Sequence, residues 1–259
     1  MAATPPRLWH FRISHYNEKV RWALDFKQWP HLRHALIPGW HIPTARRLSG
    51  QTALPILELD GRILHDSTAI IAEIERQRPD PPLYPPDPAA RTRALAIEAY
   101  FDDEVAPDLR RLFWSCYLDH AAECARMATD GAGPLARATW RLLFPAMRPL
   151  FRRQLGADAE RVATARQRLA GYFDRLESEI APAGYLVGDR FSIADLAAAA
   201  VMTAIIRPPQ FSYPLPEPWP PELVELRGSV AHRAGLRWVL DIYERHRGAS
   251  SEIDATATA

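Results

Sequence analysis

The chain contains only two cysteines in 259 residues, Cys116 and Cys124. Two thiols cannot form a disulfide framework for a fold of this size, and they cannot supply the four ligands of a structural zinc site. None of the nine histidines falls into a metal-binding spacing, and the sequence contains no nucleophile elbow, phosphate loop or dinucleotide fingerprint. We therefore expect reduced thiols and no metal site.

The sequence also lacks a long apolar run and an excess of charge of one sign. No stretch approaches the ~18 residues of a membrane span, and the first residues carry neither the basic nor the apolar region of a secretory signal. Lys and Arg total 32 against 31 Asp and Glu, a net charge of +1. This balance gives no reason to expect nucleic acid or an anionic membrane as a partner. We expect a cytoplasmic protein that binds neither.

Proline is the residue in excess, with 24 in the chain. Six of these prolines fall within residues 79–88, where they exclude a helix interior or a paired strand. The pattern before this run is mixed, and the pattern after it is almost wholly helical. We predict an α/β domain over residues 1–78, a proline-rich linker over 79–88, an all-helical domain over 89–249 and a flexible tail over 250–259.

In the first domain, the apolar pattern predicts the order βα, a connecting stretch, and then ββα. Residues 7–11 and 31–37 have strand patterns on either side of a helix over 17–27, so we expect those two strands to be parallel. Asp60-Gly61 between two apolar runs indicates an antiparallel hairpin. In the second domain, helical periodicity predicts helices over residues 89–119, 134–153, 159–181, 192–206 and 235–246.

Three features of the first domain each have a structural and a functional interpretation. Ser14 lies between the first strand and the first helix, where it stabilises a thiolate or simply caps the helix. Pro55 opens a buried strand, which indicates either a cis peptide that turns the Leu54 backbone towards an extended ligand or an edge-strand proline. Asp66 and Ser67 start a helix, where they bind a ligand's ammonium and carboxylate or act only as caps.

The order and spacing of these three features closely resemble the glutathione S-transferase family, in particular its serine-type, bacterial-like cytosolic members. The Leu-Tyr-Pro motif at 83–85 and the Ser-Ile-Ala-Asp helix start at 192–195 are similar to further hallmarks of that family. The resemblance covers nearly the whole chain. It implies an α/β plus all-α fold, in which a thioredoxin-like N-terminal domain is followed by an all-helical C-terminal domain.

The resemblance also implies roles for individual residues. Ser14 matches the catalytic serine, whose hydroxyl donates to the glutathione sulfur and favours the thiolate. Leu54, before a cis Pro55, matches the residue whose backbone pairs with the cysteinyl unit. Asp66 and Ser67 match the pair that holds the γ-glutamyl ammonium and carboxylate.

Two positions depart from the family pattern. Trp40 and His41 stand in the loop where some members place His and Lys near the glycyl carboxylate, and we assign them to glutathione binding. Ala53 stands where many members have Gln, so one side-chain contact is missing. A tyrosine-type enzyme is excluded because the first strand has no tyrosine at its end. Glutaredoxin-like chemistry is disfavoured because Ser14 and Asn17 occupy the two positions of a Cys-x-x-Cys motif.

Aromatic residues are candidates for a second binding site. Tyr16 lies at the start of the first helix, and Phe113, Trp114 and Tyr117 cluster on the long helix after the linker. Aromatic residues at helical spacing usually pack in a core. In this family, however, the helix after the linker forms one wall of the electrophile cavity. We therefore expect Phe113, Trp114 and Tyr117 to line that cavity, with Tyr16 beside them. We place the neighbouring Arg110 on a solvated face.

The function implied by the resemblance is conjugation of glutathione to a small hydrophobic electrophile in detoxification. Glutathione is then a co-substrate, no prosthetic group is needed, and the family implies a homodimer. Two alternatives stay open. One is a non-catalytic protein of the same fold that binds ligands or acts as a scaffold. The other is a different glutathione-dependent enzyme, such as a dehalogenase, isomerase or peroxidase.

Overall fold

The computed structural model describes residues 4–254. A four-stranded sheet forms the centre of the N-terminal region, with strands β1 Arg7–His10, β2 Leu32–Ala35, β3 Ile56–Leu59 and β4 Arg62–His65. The strand order is β2-β1-β3-β4. Strands β1 and β2 are parallel, whereas the β1–β3 and β3–β4 pairs are antiparallel. The predicted strand order and directions are confirmed.

Three helices cover the two faces of this sheet: α1 His15–Phe26, α2 Ile42–Ser49 and α3 Ser67–Gln77. Successive residues of β3 point to opposite faces. Leu57 joins the main core with α1 and α3, whereas Ile56 packs with Ala45 of α2 in a smaller cluster. The sequence predicted only a connecting stretch where α2 lies, because this helix is only eight residues long, starts beside Pro43 and buries only Ala45.

The second region is helical, and the predicted α/β plus all-α fold is confirmed. Its elements are α4 Pro88–Tyr100, α5 Ala106–Tyr117, α6 Ala121–Ala128, α7 Pro134–Leu155, α8 Ala159–Glu179, α9 Ile193–Met202, α10 Pro221–Ser229 and α11 Ala234–His246. A π-helical turn over Phe101–Val105 joins α4 to α5, so these two form the long helix predicted over 89–119. Helices α6 and α10 were not predicted, because each is short and begins beside irregular chain.

Helix α9 lies at the centre of the molecule. Every residue of this helix is buried, and it packs against both α1 and α4. Its run of alanines permits that close approach on all sides. The buried Asp195 accepts hydrogen bonds from the backbone N–H groups of Leu186 and Ser192, at 2.8 and 2.9 Å. The predicted helix start therefore fixes a preceding loop as well as the helix.

Polar contacts connect the two regions across α1. Lys19 is fully buried and its Nζ lies 2.9 Å from Glu98 Oε1, with Asp102 as a second partner. Trp22 Nε1 donates to the carbonyl of His246 at 3.0 Å. The proline-rich segment 208–221, whose path the sequence did not predict, also reaches α1: Ser212 Oγ donates to Glu18 Oε2 at 2.9 Å.

The C-terminal residues differ from the sequence prediction of a flexible tail over 250–259. Ser251 accepts from the backbone N–H of His31 at 3.2 Å, and Ile253 donates to the carbonyl of His31 at 2.9 Å. His31 precedes β2, the edge strand of the sheet, whose outer backbone groups need partners. Residues 250–254 therefore pair with the sheet edge, while 255–259 lie outside the described residues.

Both cysteines are buried and neither forms a disulfide. Burial raises the pKa of Cys116 to about 11 and raises that of Cys124 further, so both thiols stay protonated near neutral pH. Within residues 4–254, no helix combines the length and the apolar character that crossing a membrane requires.

Candidate functional site

Ser14 is the N-cap of α1, at the end of the loop that follows β1. Its Oγ accepts from the backbone N–H of Asn17 at a long 3.4 Å. The fully buried guanidinium of Arg21 holds this loop, because it donates to the carbonyls of Phe11, Arg12 and Ser14 at 2.9, 3.2 and 3.4 Å. The Ser14 hydroxyl is therefore set in place at the positive end of the helix dipole.

Asn17 connects this loop to the one before β3. Its Oδ1 accepts from the backbone N–H of Phe11 at 3.2 Å, and its Nδ2 donates to the carbonyl of Leu54 at 3.4 Å. The Leu54–Pro55 peptide bond is cis, as predicted. Sequence reasoning treated Asn17 only as a replacement for a cysteine, and its place three residues after Ser14, in the first turn of α1, was the signal for a positioning role.

Asp66 and Ser67 lie where β4 meets α3. Asp66 has a positive φ of 73°, and its side chain caps the helix by accepting from the backbone N–H of Ala69 at 3.0 Å. Ser67 is buried, although it lines a cavity. The N-terminus of α3 and the Asp66 carboxylate therefore both border this cavity. This combination suits a ligand that carries a negative and a positive group.

Two cavities of about 460 and 690 Å³ adjoin each other, and Ser14 lines the smaller one. They share Tyr16, Ala53, Leu54 and Arg110, and they therefore form one continuous cleft between the two regions. The predicted residues of the first cavity are Ser14, Tyr16, His41, Leu54, Phe113 and Trp114. Those of the second cavity are Tyr16, Leu54, Pro55, Asp66 and Ser67.

Two predicted site residues lie elsewhere. Trp40 is 39% exposed and contributes to neither cavity, because it lies in the turn before α2 on the outer side. Tyr117 is buried and lines neither cavity, and its ring packs against that of Phe113 at a centroid distance of 4.9 Å. The structure does not bring these two residues to the cleft with the other predicted site residues.

His41 lines the first cavity, but its ring nitrogens are already engaged. Nδ1 accepts from the backbone N–H of Gly39 at 3.1 Å, so Nε2 carries the hydrogen and donates to the carbonyl of Thr52 at 3.0 Å. Burial lowers the pKa of His41, although backbone contacts with Thr52 and Ile37 oppose the shift. The ring is therefore a neutral wall of the cavity and offers no nitrogen to a glycyl carboxylate.

The Tyr16 hydroxyl is engaged in the same way. It donates to the carbonyl of Asp102 at 2.8 Å. Burial raises the pKa of Tyr16 to about 12, with Arg110 opposing the shift. The phenol therefore stays neutral near pH 7, and its hydrogen is already donated to the protein backbone.

The two cavities differ in charge. Carboxylates line the second cavity: Asp66, Glu98, Asp102 and Asp103. Burial raises the pKa of Glu98 and Asp102, and Lys19 opposes both shifts. The first cavity holds Arg110 and Arg207 and no carboxylate. Arg110 was expected on a solvated face, and Arg207 had no signal in the sequence apart from its place before two prolines.

Within residues 4–254, no cluster of His, Cys, Asp and Glu has the arrangement of a metal site. The molecule thus combines a thioredoxin-like sheet domain, a helical domain and a polar cleft between them. Family models for the glutathione S-transferase N-terminal and C-terminal domains match residues 8–82 and 137–226. The chain belongs to the glutathione S-transferase family, and the resemblance inferred from the sequence is confirmed.

Individual relatives differ in what their names describe. FtsZ-localized protein A of Caulobacter vibrioides is 25% identical over 203 residues, which cover 76% of each chain. A maleylpyruvate isomerase of a Ralstonia species is 32% identical over 104 residues, 39% of this chain and 49% of that protein. A theta-class glutathione S-transferase of Xanthomonas axonopodis pv. citri, solved with glutathione bound, has a TM-score of 0.58 and 20% identity over 96% of this chain and all of that one. This last likeness shows the fold.

Proposed function

We propose that this protein is a serine-type glutathione transferase. Glutathione lies in the second cavity with its sulfur at Ser14, and an apolar electrophile enters the first. One observation carries the proposal: Ser14, the backbone of Leu54 and the Asp66–Ser67 pair line one continuous cleft.

Each part of glutathione has a matching group in this arrangement. The backbone of Leu54 pairs with the cysteinyl unit. The Asp66 carboxylate accepts from the γ-glutamyl ammonium, and the Ser67 hydroxyl with the first N–H groups of α3 holds the carboxylate of the same unit. His41 contributes only a neutral wall, and Trp40 has no part in the site.

The chemical contribution of the site is to ionise the thiol. A free thiol has a pKa of about 8.5, so little thiolate exists at pH 7. Donation from the Ser14 hydroxyl and the dipole of α1 both favour the anion. A decrease of two pKa units, about 2.7 kcal/mol, leaves most of the bound glutathione ionised. The thiolate then forms a bond to an electrophilic carbon held against Phe113 and Trp114.

Isomerisation is the second candidate, because two curated relatives that are 32% identical over 104 residues carry isomerase names. The same thiolate then adds to a conjugated double bond and leaves again after rotation. The two reactions differ in their use of glutathione. Conjugation consumes one thiol per product, whereas isomerisation returns it, so a thiol assay during turnover separates them.

The proposal extends to assembly and location. A cytoplasmic homodimer joined through the N-terminal domain is the arrangement that family membership supports. Light scattering of the purified protein tests it, because a molar mass of one chain contradicts the dimer.

The deciding experiment is a glutathione titration that follows thiolate absorbance in the ultraviolet across pH. The wild type is compared with Ser14→Ala and with Ser115→Ala, whose hydroxyl bonds within α5 and lines neither cavity. We expect a lowered thiol pKa in the wild type and in Ser115→Ala, and its loss in Ser14→Ala with little change in glutathione affinity. Binding without thiolate formation in the wild type supports a non-catalytic carrier or scaffold instead. Absence of binding contradicts the proposal.

A further inference from the structure

Arg207 is a buried cation without a counter-ion. The residue follows α9 in the left-handed region, with φ 54°, and is only 8% exposed. All three guanidinium nitrogens are buried, and none has a hydrogen-bond partner within the described residues. The rings of Phe113 and Phe211 lie 4.7 and 5.2 Å from the guanidinium carbon and offer partial compensation.

Other buried cations of the molecule are paired. Arg21 and Arg247 both bond to Glu18, and Lys19 bonds to Glu98. Burying an unpaired charge is unfavourable, and proteins normally neutralise or pair such a group. Burial lowers the pKa of Arg207 to about 10, so the guanidinium still carries its charge near neutral pH. Tyr117, Tyr243 and Glu18 oppose this shift without bonding to the guanidinium, so within residues 4–254 the buried charge has no direct partner.

The charged side chains that line the first cavity with Arg207 carry no negative charge. Arg110 lines the same cavity, forms no ion pair within the described part of the chain, and has a buried Nε without a partner. His15 lines the same cavity, and burial, followed by Arg110 and Arg207, lowers its pKa to about 3. No Asp or Glu lines the cavity, and its remaining wall is largely apolar, with Phe113, Trp114 and Phe151 among its aromatic residues.

We propose that the second substrate of this protein is an apolar electrophile that carries a carboxylate, and that Arg207 binds this carboxylate in the first cavity. Arg110, at the junction of the two cavities, adds a second positive charge. The aromatic wall takes the apolar body of the substrate, and the electrophilic carbon faces Ser14. This inference rests on the proposed function, which it narrows to a substrate class.

A binding experiment tests the carboxylate site without any turnover. Calorimetry compares 4-methylbenzoate with its neutral methyl ester in the wild type, Arg207→Met and Arg207→Lys. We expect the benzoate to bind the Met variant about tenfold to a hundredfold more weakly, with the ester unchanged and the Lys variant partly restored. Arg166→Met, on the exposed surface of α8, is the matched control and should change neither. Equal affinity of the wild type and the Met variant for benzoate overturns the proposal.

Stability separates a ligand-binding charge from a structural one. Because the unliganded protein buries the Arg207 charge unpaired, Arg207→Met should raise the midpoint of thermal unfolding. If Arg207 has a structural role instead, Arg207→Met should lower the midpoint of thermal unfolding. The variant should then also bind both the benzoate and the ester more weakly. That outcome also overturns the proposal.

Steady-state kinetics show whether Arg207 binds the carboxylate of the second substrate or the glycyl carboxylate of glutathione. The substrates are 4-(chloromethyl)benzoate and its methyl ester. The glutathione sulfur forms a bond to the benzylic carbon, the carbon–chlorine bond breaks, chloride leaves with the electron pair, and the thiol proton passes to solvent. We expect Arg207→Met to raise the KM for the benzoate about tenfold or more and to leave the KM for glutathione unchanged.

The two hypotheses fail in different ways. If the wild type binds 4-methylbenzoate through Arg207 but conjugates neither substrate, the carboxylate site stands and the transferase proposal is wrong. If Arg207→Met raises only the KM for glutathione, the arginine binds the glycyl carboxylate and the substrate class is wrong.

Discussion

Arg247 donates from Nε to Glu18 Oε1 at 2.7 Å, although 229 positions separate the two residues in the chain. The other carboxylate oxygen of Glu18 accepts from Arg21 Nε at 2.8 Å and from Ser212 Oγ at 2.9 Å. Arg21 also donates to the carbonyl of Ser14. One buried carboxylate therefore connects the end of α11 and the segment 208–221 to the loop that carries Ser14.

Replacing this carboxylate should destabilise the fold. Burial opposes ionisation of Glu18, but Arg247 and Arg21 outweigh it and hold its pKa below the ordinary value. In Glu18→Gln, Arg21 loses the one carboxylate that it pairs with among residues 4–254, and Arg247 keeps Asp25 as its ion-pair partner. We expect the free energy of unfolding, measured in urea, to fall by about 3–5 kcal/mol, as when one partner of a buried pair is removed.

The control for this prediction is an exposed ion pair on the same terminal helix. Asp241→Asn breaks the contact between Asp241 and Arg245 at the surface of α11. Exposed pairs contribute at most about 1 kcal/mol. Equal effects of Glu18→Gln and Asp241→Asn would mean that the buried network does not hold the loop of Ser14.

Local sequence signals account for most of the sheet domain. The hairpin followed from Asp60-Gly61, which adopt φ values of 49° and 74° in the turn. The Leu54–Pro55 peptide and the start of α3 at Ser67 also depend on residues that are neighbours in sequence. Because these signals are local, the order of the motifs along the sequence was sufficient to predict the polar residues of the cleft.

The features missed by sequence reasoning depend on contacts between distant segments. Arg207 is buried because the segment after it folds back over α1, and nothing in the local pattern specifies that path. Tyr117 and Phe113 share the apolar side of α5, yet only Phe113 reaches the cavity. The docking of Ser251 depends on an unpaired sheet edge that exists only in the folded protein.

The stability of the protein should depend on pH through His15. Burial, with Arg110 and Arg207, lowers the pKa of His15 to about 3, against about 6.5 in an unfolded chain. Between these values the unfolded chain holds a proton that the folded protein does not. Stability therefore rises with pH through this window and is fully present above about pH 6.5.

His15→Phe removes this contribution and keeps a ring of similar size. The slope of unfolding free energy against pH between 4 and 6 should become shallower by about 1.4 kcal/mol per pH unit, one proton equivalent. Urea unfolding at several pH values measures it. Burial also lowers the pKa of His10 and His31, so some slope remains in the variant. An unchanged slope would show that His15 is protonated in the folded protein.

Deleting residues 250–259 should destabilise the sheet domain. The deletion removes the two backbone hydrogen bonds to His31 and the bond from the Ser251 N–H to Asp25 Oδ1, at 2.8 Å. Each bond contributes about 1 kcal/mol. Deletion of 255–259 alone is the matched control, because it leaves all three bonds in place. We expect the longer deletion to unfold at a lower urea concentration than the control, with Arg247 still bonded to Glu18 in both proteins. Identical midpoints for the two deletions would show that the sheet edge is equally stable when water replaces the tail.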